Sequence, residues 1–289
     1  MTTACALLLA ARPRTLPAAV VPVLVGTAVA ARAGHARLAI AATALGGALL
    51  LQIGTNLVND WGDFRRGADG PDRLGPTRVT QAGLLTAGQV LAAGLGAFGA
   101  AAVLGVVLIA EAGWPVVWIG LASIAAGIAY TAGPWPLAYH GLGEAFVFAF
   151  FGPVAVGGTE LVQAGHVSAL GIAAALPVGC LATAIMLVNN VRDVDGDRRA
   201  GKRTLVVRIG RGAGRALYAS MLVLAFATAV GLAFAAPAAL LALLAVPLVR
   251  APLRAVLHAT DGPQLNAALA ATARLHLAFG ALLAAGLAW

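Results

Sequence analysis

The sequence predicts an all-α polytopic membrane bundle, and three observations predict it. Hydrophobic residues make up 61% of the 289 and charged residues 10%, whereas a soluble domain carries about 45–50% apolar and about 25% charged residues. Mean hydropathy is +0.91. Apolar runs close to the ~20 residues that span a bilayer recur along the whole chain. The same figures exclude a disordered chain, a collagen and a disulfide scaffold. Residues 1–289 read as one domain.

Nine spanning runs are predicted, in order. The first covers 16–31, between Arg14 and Arg32. The second, 38–58, starts after Arg37 and runs into an acid-rich stretch. The third, 87–109, and the fourth, 115–132, flank a loop holding Glu111. The fifth, 143–163, starts at Glu144 and has Glu160 near its far end, where an interfacial position is expected. The sixth, 168–190, runs into a second acid-rich stretch. The seventh, 214–234, and the eighth, 237–256, meet at Ala236-Pro237, as one broken helix or a tight hairpin. The ninth, 267–288, follows the loop acid Asp261 and carries Arg274.

Charge orients this arrangement. With the N-terminus in the cytoplasm, sixteen of the nineteen Lys and Arg lie inside, and only Arg32 and Arg37 lie outside. That bias predicts N-in and C-out. It also favours the hairpin, because one broken helix would carry Arg250 and Arg254 outside. The net charge of +8 and the pI near 10.9 therefore orient loops, and no nucleic-acid partner is expected. Cys5 and Cys180 are expected as free thiols. The apolar start, up to Ala11, lacks a basic flank and does not read as a cleaved signal peptide. Glycine-rich Gly94–Gly99 is read as helix packing, and Gly210–Gly214 as a hinge, since no strand precedes it.

The acids carry the chemistry. Seven of the eleven fall in two clusters, Asn56-Leu-Val-Asn59-Asp60-Trp-Gly-Asp63 continuing to Asp69 and Asp72, and Asn189-Asn190-Val-Arg192-Asp193-Val-Asp195-Gly-Asp197. A carboxylate at mid-bilayer costs about 2.5–3.5 kcal/mol, so these groups belong at helix ends or around a polar cavity. Asn56, Asp60 and Asp63 are spaced i, i+4, i+7, and Asn189, Asp193 and Asp197 i, i+4, i+8. If the helices continue past the bilayer surface, each trio lines one face. Both clusters end even-numbered spans and so emerge on the same side. Facing carboxylates suit a hard divalent cation such as Mg²⁺, which takes one or two carboxylates plus substrate phosphate. Interleaved Arg65, Arg66, Arg73, Arg78, Arg192, Lys202 and Arg203 suit phosphate. Acids and bases together predict a metal-bridged diphosphate whose apolar tail enters the bundle.

At these residues the chain resembles the UbiA superfamily of intramembrane aromatic prenyltransferases. Its two aspartate-rich motifs look like Asn56-x3-Asp60-x2-Asp63 and Asn189-x3-Asp193-x3-Asp197. Within it the chain is most similar to the MenA branch, the 1,4-dihydroxy-2-naphthoate polyprenyltransferases. The supporting segments are Arg12–Pro17, Asn56–Asp69, Asp72–Pro76, Tyr130–Tyr139 with Gly141–Glu144, and Gly201–Leu205.

The resemblance implies nine helices around a central cavity, Mg²⁺ dependence, a polyprenyl diphosphate donor and a dihydroxynaphthoate acceptor. It implies prenylation with loss of the carboxylate, giving demethylmenaquinone. Two Mg²⁺ are then expected on Asp60, Asp63, Asp193 and Asp197, with Asn56 and Asn189 as oxygen ligands. Lys202, Arg203 and Arg73 or Arg78 would clamp the diphosphate, with Arg65 nearby. Tyr130, Trp135 or Tyr139 would stabilise an allylic cation. Asp69 would orient the acceptor or take its proton, and His140 is a second candidate base. Rival readings are a UbiA-type enzyme for 4-hydroxybenzoate or homogentisate and a cation-coupled transporter. A transporter places its charges near the midplane, whereas here they gather at one face.

Overall fold

The computed structural model describes residues 2–67, 74–75 and 77–289. Among them there is no strand. Helix α1 (Thr3–Ala11) is capped by Thr2 and lays Ala6 and Ala10 against Leu57 and Val79. It stops at Arg12, whose φ of 52° is left-handed. A 3-10 turn at Pro13–Thr15 follows, and α2 (Pro17–Arg32) leaves at 54° to the preceding segment. Next come α3 (Leu38–Arg65), α4 (Ala87–Ala112) and α5 (Trp114–Ala129). Thr86 and Gln89 form a capping box at the start of α4, satisfying amide donors that the first helical turn leaves open.

The chain then makes a 3-10 turn at Leu137–His140 and enters α6 (Gly143–Ala149). Pro153 lacks an N–H and would break a continuous helix. A π turn at Phe150–Val154 absorbs it, and α7 (Ala155–Ala164) continues. The remainder is α8 (Ala169–Arg199), α9 (Leu205–Ile209), α10 (Arg211–Leu232), a 3-10 stretch at Pro237–Val249, α11 (Arg250–His258) and α12 (Gly262–Ala288).

Among the described residues seven helical segments are long and apolar enough to cross a membrane, and an eighth is the bent pair formed by Thr3–Thr15 and Pro17–Arg32. The fourth expected span, 115–132, corresponds to α5, a shorter apolar helix of 16 residues. The seventh and eighth runs are separate. Arg215 Nη2 near the start of α10 donates to Ala259 O just beyond α11 at 2.6 Å, so the two segments run antiparallel. Both motif-bearing helices outrun the expected bilayer limits, α3 to Arg65 and α8 to Arg199. The backbone ladder needs no apolar side chains, so polar residues extend it.

Helix α8 is the core of the bundle. Of its apolar stretch 78% is buried, against 17–50% in the other spanning segments. Val178, Leu181, Leu187 and Val191 pack there with Tyr218, Leu222, Leu275 and Phe279 of α10 and α12. On α3 and α4, close approach is set by Gly54 and Gly94. A Cβ on Gly54 would stand 2.7 Å from the Phe98 ring, and one on Gly94 3.0 Å from Val58. Gly96 and Gly99 touch nothing within 4 Å, so the expected packing role holds only for Gly94 in that run. Gly210, at φ 89°, makes the turn between α9 and α10. Cys5 and Cys180 are both free.

Candidate active site

A cavity of about 1080 Å³ lies between α3 and α8. Along α3 its wall passes from Ala44 and Leu51 to Asn56, Asn59 and Asp63. Along α8 it passes from Ala182 and Ile185 to Asn189, Asn190, Asp193 and Asp197. One end is therefore polar and the rest apolar, with Leu108, Val116 and Val162 at the far end. The two aspartate-rich segments, 126 or more residues apart, meet there because both helices keep the same phase relative to the cavity.

On α3 the phase differs from the expected one. Asn56, Asn59 and Asp63 line the cavity, spaced i, i+3, i+7. Asp60 turns away and is 2% exposed. Its Oδ2 accepts from Val79 N at 3.2 Å and its Oδ1 from Thr80 N at 3.3 Å. Buried amides need acceptors, and the Asp60 carboxylate supplies two. Asp60 thus does not line the cavity, whereas Asn59, four residues before Asp63, does. Asn59 Oδ1 accepts from Thr131 Oγ1 at 2.8 Å.

Asp63 is held by three donors. It accepts from Arg78 Nη2 at 2.7 Å, Lys202 Nζ at 2.9 Å and Tyr139 Oη at 3.1 Å. The Tyr139 ring also lies 5.3 Å from the Arg66 guanidinium and 5.0 Å from Lys202 Nζ. Tyr139 thus anchors Asp63 rather than lining the cavity. Arg66 pins the 131–133 turn through the carbonyls of Thr131 and Gly133.

On α8, Asp193 accepts from Arg192 Nε at 2.8 Å and Nη2 at 2.6 Å. Arg192 Nη1 donates to Asn266 Oδ1 at 2.7 Å, and Asn266 Nδ2 donates to Leu74 O at 2.8 Å. Asn266, on α12, thereby ties the second acidic segment to the loop after the first. Asp197 lines the cavity, and Asp195 pairs with Arg211 at 2.7 Å.

Several expected positions fall elsewhere. Arg65 lies 6.0 Å from the Trp61 ring, and exposed Arg203 offers its carbonyl to Arg208; neither lines the cavity. Trp135 is 54% exposed and stacks on His140 at 4.2 Å, while His140 Nδ1 meets Pro136 O at 2.8 Å. That pair closes a turn and is not at the cavity. Tyr130 does line it, its hydroxyl 3.3 Å from Met186 Sδ. Asp69, Asp72 and Arg73 lie outside the described residues. Arg12 lines the cavity, although spacing did not single it out.

The isolated acids each have a partner. Glu111 pairs with Arg37 at 2.8 Å, and Asp261 caps α12 by accepting from Gln264 N. Glu160 is 1% exposed and accepts from Ser168 N at the start of α8. Glu144 is buried and accepts from Asn190.

The donors at the polar end are all oxygen, from carboxylates and carboxamides, which suits Mg²⁺ over softer metals. Among the described residues no three His, Cys, Asp or Glu form a ready-made metal cluster. Arg78, Arg192 and Lys202 line the same cavity and suit phosphate.

Comparison with known proteins agrees with this geometry. The UbiA prenyltransferase family matches residues 19–286. The 1,4-dihydroxy-2-naphthoate octaprenyltransferase of Mycobacterium tuberculosis is 42% identical over 239 residues, covering 82% of this chain and 81% of that protein. The enzyme of the same name from Escherichia coli is 40% identical over 225 residues, covering 73% and 70%. That from Bacillus subtilis is 32% identical over 279 residues, covering 96% and 90%. Among solved structures, a UbiA homolog from Aeropyrum pernix K1 matches with a TM-score of 0.71 at 17% identity, covering 94% of this chain and 96% of that one. A UbiA homolog from Archaeoglobus fulgidus bound to GPP and Mg²⁺ matches with a TM-score of 0.67 at 14% identity, covering 96% and 99%. These structural likenesses show a shared fold.

Proposed function

The chain belongs to the UbiA prenyltransferase family, and from that premise we propose that it prenylates 1,4-dihydroxy-2-naphthoate. The donor is a polyprenyl diphosphate, diphosphate and CO₂ leave, and the product is demethylmenaquinol, the reduced form of demethylmenaquinone, for menaquinone synthesis. The observation that carries this reading is a cavity with acids and cations at one end and apolar walls beyond. Identity of 32–42% to three relatives of that name supports the acceptor.

Asp63, Asp193 and Asp197, with Asn56, Asn59 and Asn189, would hold two Mg²⁺ ions. Bound Mg²⁺ supplies Lewis acidity that draws charge onto the departing diphosphate. Lys202 and Arg78 already bracket Asp63 and are placed to take phosphate oxygens. The apolar walls take the prenyl tail and exclude water, which would otherwise quench an allylic cation to an alcohol. Tyr130 presents its ring to that cation. Asp69 as the acceptor's base and Arg73 as a further phosphate donor belong to the same reading.

The chain is a multi-pass membrane protein. Within that, one domain of nine spans, N-in and C-out, fits a bacterial plasma membrane with the cavity's polar end facing the cytoplasm. The gathering of Arg65, Arg66, Arg78, Arg198, Arg199 and Lys202 at the ends of α3 and α8 supports that orientation.

The test uses purified protein in detergent with Mg²⁺, geranylgeranyl diphosphate and separate pools of dihydroxynaphthoate and 4-hydroxybenzoate, with products read by mass. A decarboxylated prenyl-naphthoquinol is expected. Prenylation of hydroxybenzoate alone would overturn the acceptor. No product from either pool, with ion flux in proteoliposomes, would replace the enzyme by a transporter.

A further inference from the structure

Glu144 stands at the start of α6, is 5% exposed and does not itself line the cavity. Its Oε1 accepts from Asn190 Nδ2 at 2.7 Å. Its Oε2 is buried with no hydrogen-bond partner among the described residues. Asn190 does line the cavity, as does Tyr130. The Tyr130 hydroxyl lies 2.9 Å from where a Cβ on neighbouring Gly143 would stand. Glu144 therefore sits behind the wall that Tyr130 and Asn190 form.

A carboxylate oxygen accepts and does not donate, so the Asn190 amide nitrogen must face Glu144. The carboxamide oxygen then faces away from Glu144, on the cavity side. Burying a charged group is costly unless it is hydrogen-bonded, and the Asn190 amide supplies that bond to Glu144. Asn190 also lies three residues before Asp193 on α8, about 4.5 Å along the helix axis. A ring held at Asn190 would thus lie beside the diphosphate end of the donor, where its first carbon reacts.

We infer that Glu144 is a positioning residue for acceptor selection. It fixes the Asn190 carboxamide so that its oxygen accepts a hydrogen bond from a ring hydroxyl of a dihydroxy-aromatic acceptor. This rests on the prenyl-transfer reading above. An aromatic lacking that hydroxyl leaves the Asn190 oxygen unpaired, and such sites discriminate strongly.

Steady-state kinetics on detergent-purified full chain test it, with dihydroxynaphthoate and a monohydroxynaphthoate as alternative acceptors. Asn190→Ala and Glu144→Ala should each raise the dihydroxy acceptor's KM about tenfold, the scale of one lost hydrogen bond. The donor KM and the Mg²⁺ activation curve should not move, and preference for the dihydroxy acceptor should shrink. Glu144→Gln, whose amide oxygen still accepts from Asn190, should recover most of the loss. The double variant should be no worse than either single one. Unchanged acceptor KM in a folded variant, or an equal rise in donor KM, would overturn the assignment while leaving prenyl transfer intact. Where Glu144→Ala does not fold, Asn190→Ala carries the same test. Wild-type protein without prenyl transfer would overturn the function and the assignment together.

Discussion

Lys202 Nζ lies 2.9 Å from Asp63 Oδ1, joining residues 139 apart in the chain. Their side chains are 11% and 3% exposed. With Arg78 on the other carboxylate oxygen, Asp63 is the point where α3, the loop before α4 and the segment after α8 converge.

Removing that acid should be costly in two ways. Asp63→Ala leaves two buried cations without their partner, and breaking a buried pair costs about 3–5 kcal/mol. Prenyl transfer should vanish and the melting temperature in detergent should fall. Asp63→Asn should also lose activity with a smaller loss of stability. Full activity in either would remove Asp63 from the site.

Asp60 should behave differently from its neighbour. Its oxygens hold Val79 N and Thr80 N, next to Arg78. Asp60→Ala leaves two buried amides unpaired, at about 1–3 kcal/mol each. Activity should drop because Arg78 is displaced, while the Mg²⁺ concentration giving half-maximal residual activity stays put. Asp193→Ala and Asp197→Ala should shift or abolish that Mg²⁺ dependence. A Mg²⁺ shift in Asp60→Ala would return it to the ligand set.

Chelation should silence the protein reversibly. EDTA is expected to stop turnover and added Mg²⁺ to restore it, since oxygen donors of this kind bind hard cations. Undiminished turnover in EDTA would sink the metal-diphosphate mechanism.

Glu160 offers a control remote from the chemistry. It accepts from Ser168 N at the start of α8, and losing such a cap costs about 0.5–2 kcal/mol. Glu160→Ala should lower the melting temperature and leave both substrate KM values unchanged. Altered KM values would show that the far end of α8 is coupled to the cavity.

Much of this was legible in the chain. Composition fixes the solvent, because so few charges cannot cover a soluble surface. The spacing of apolar runs places the spans, and the parity of the two acid-rich runs puts them on one side. What spacing could not reveal is helix phase. Each residue turns a helix by about 100°, so Asn59 and Asp60 point more than a quarter turn apart. Phase is set by what the other faces must satisfy: the amides of Val79 and Thr80 claimed Asp60. Likewise the Asp63–Lys202, Arg192–Asn266 and Glu144–Asn190 pairs join positions far apart in sequence. Such partners are chosen by packing in three dimensions, where burial forces each polar group to find one.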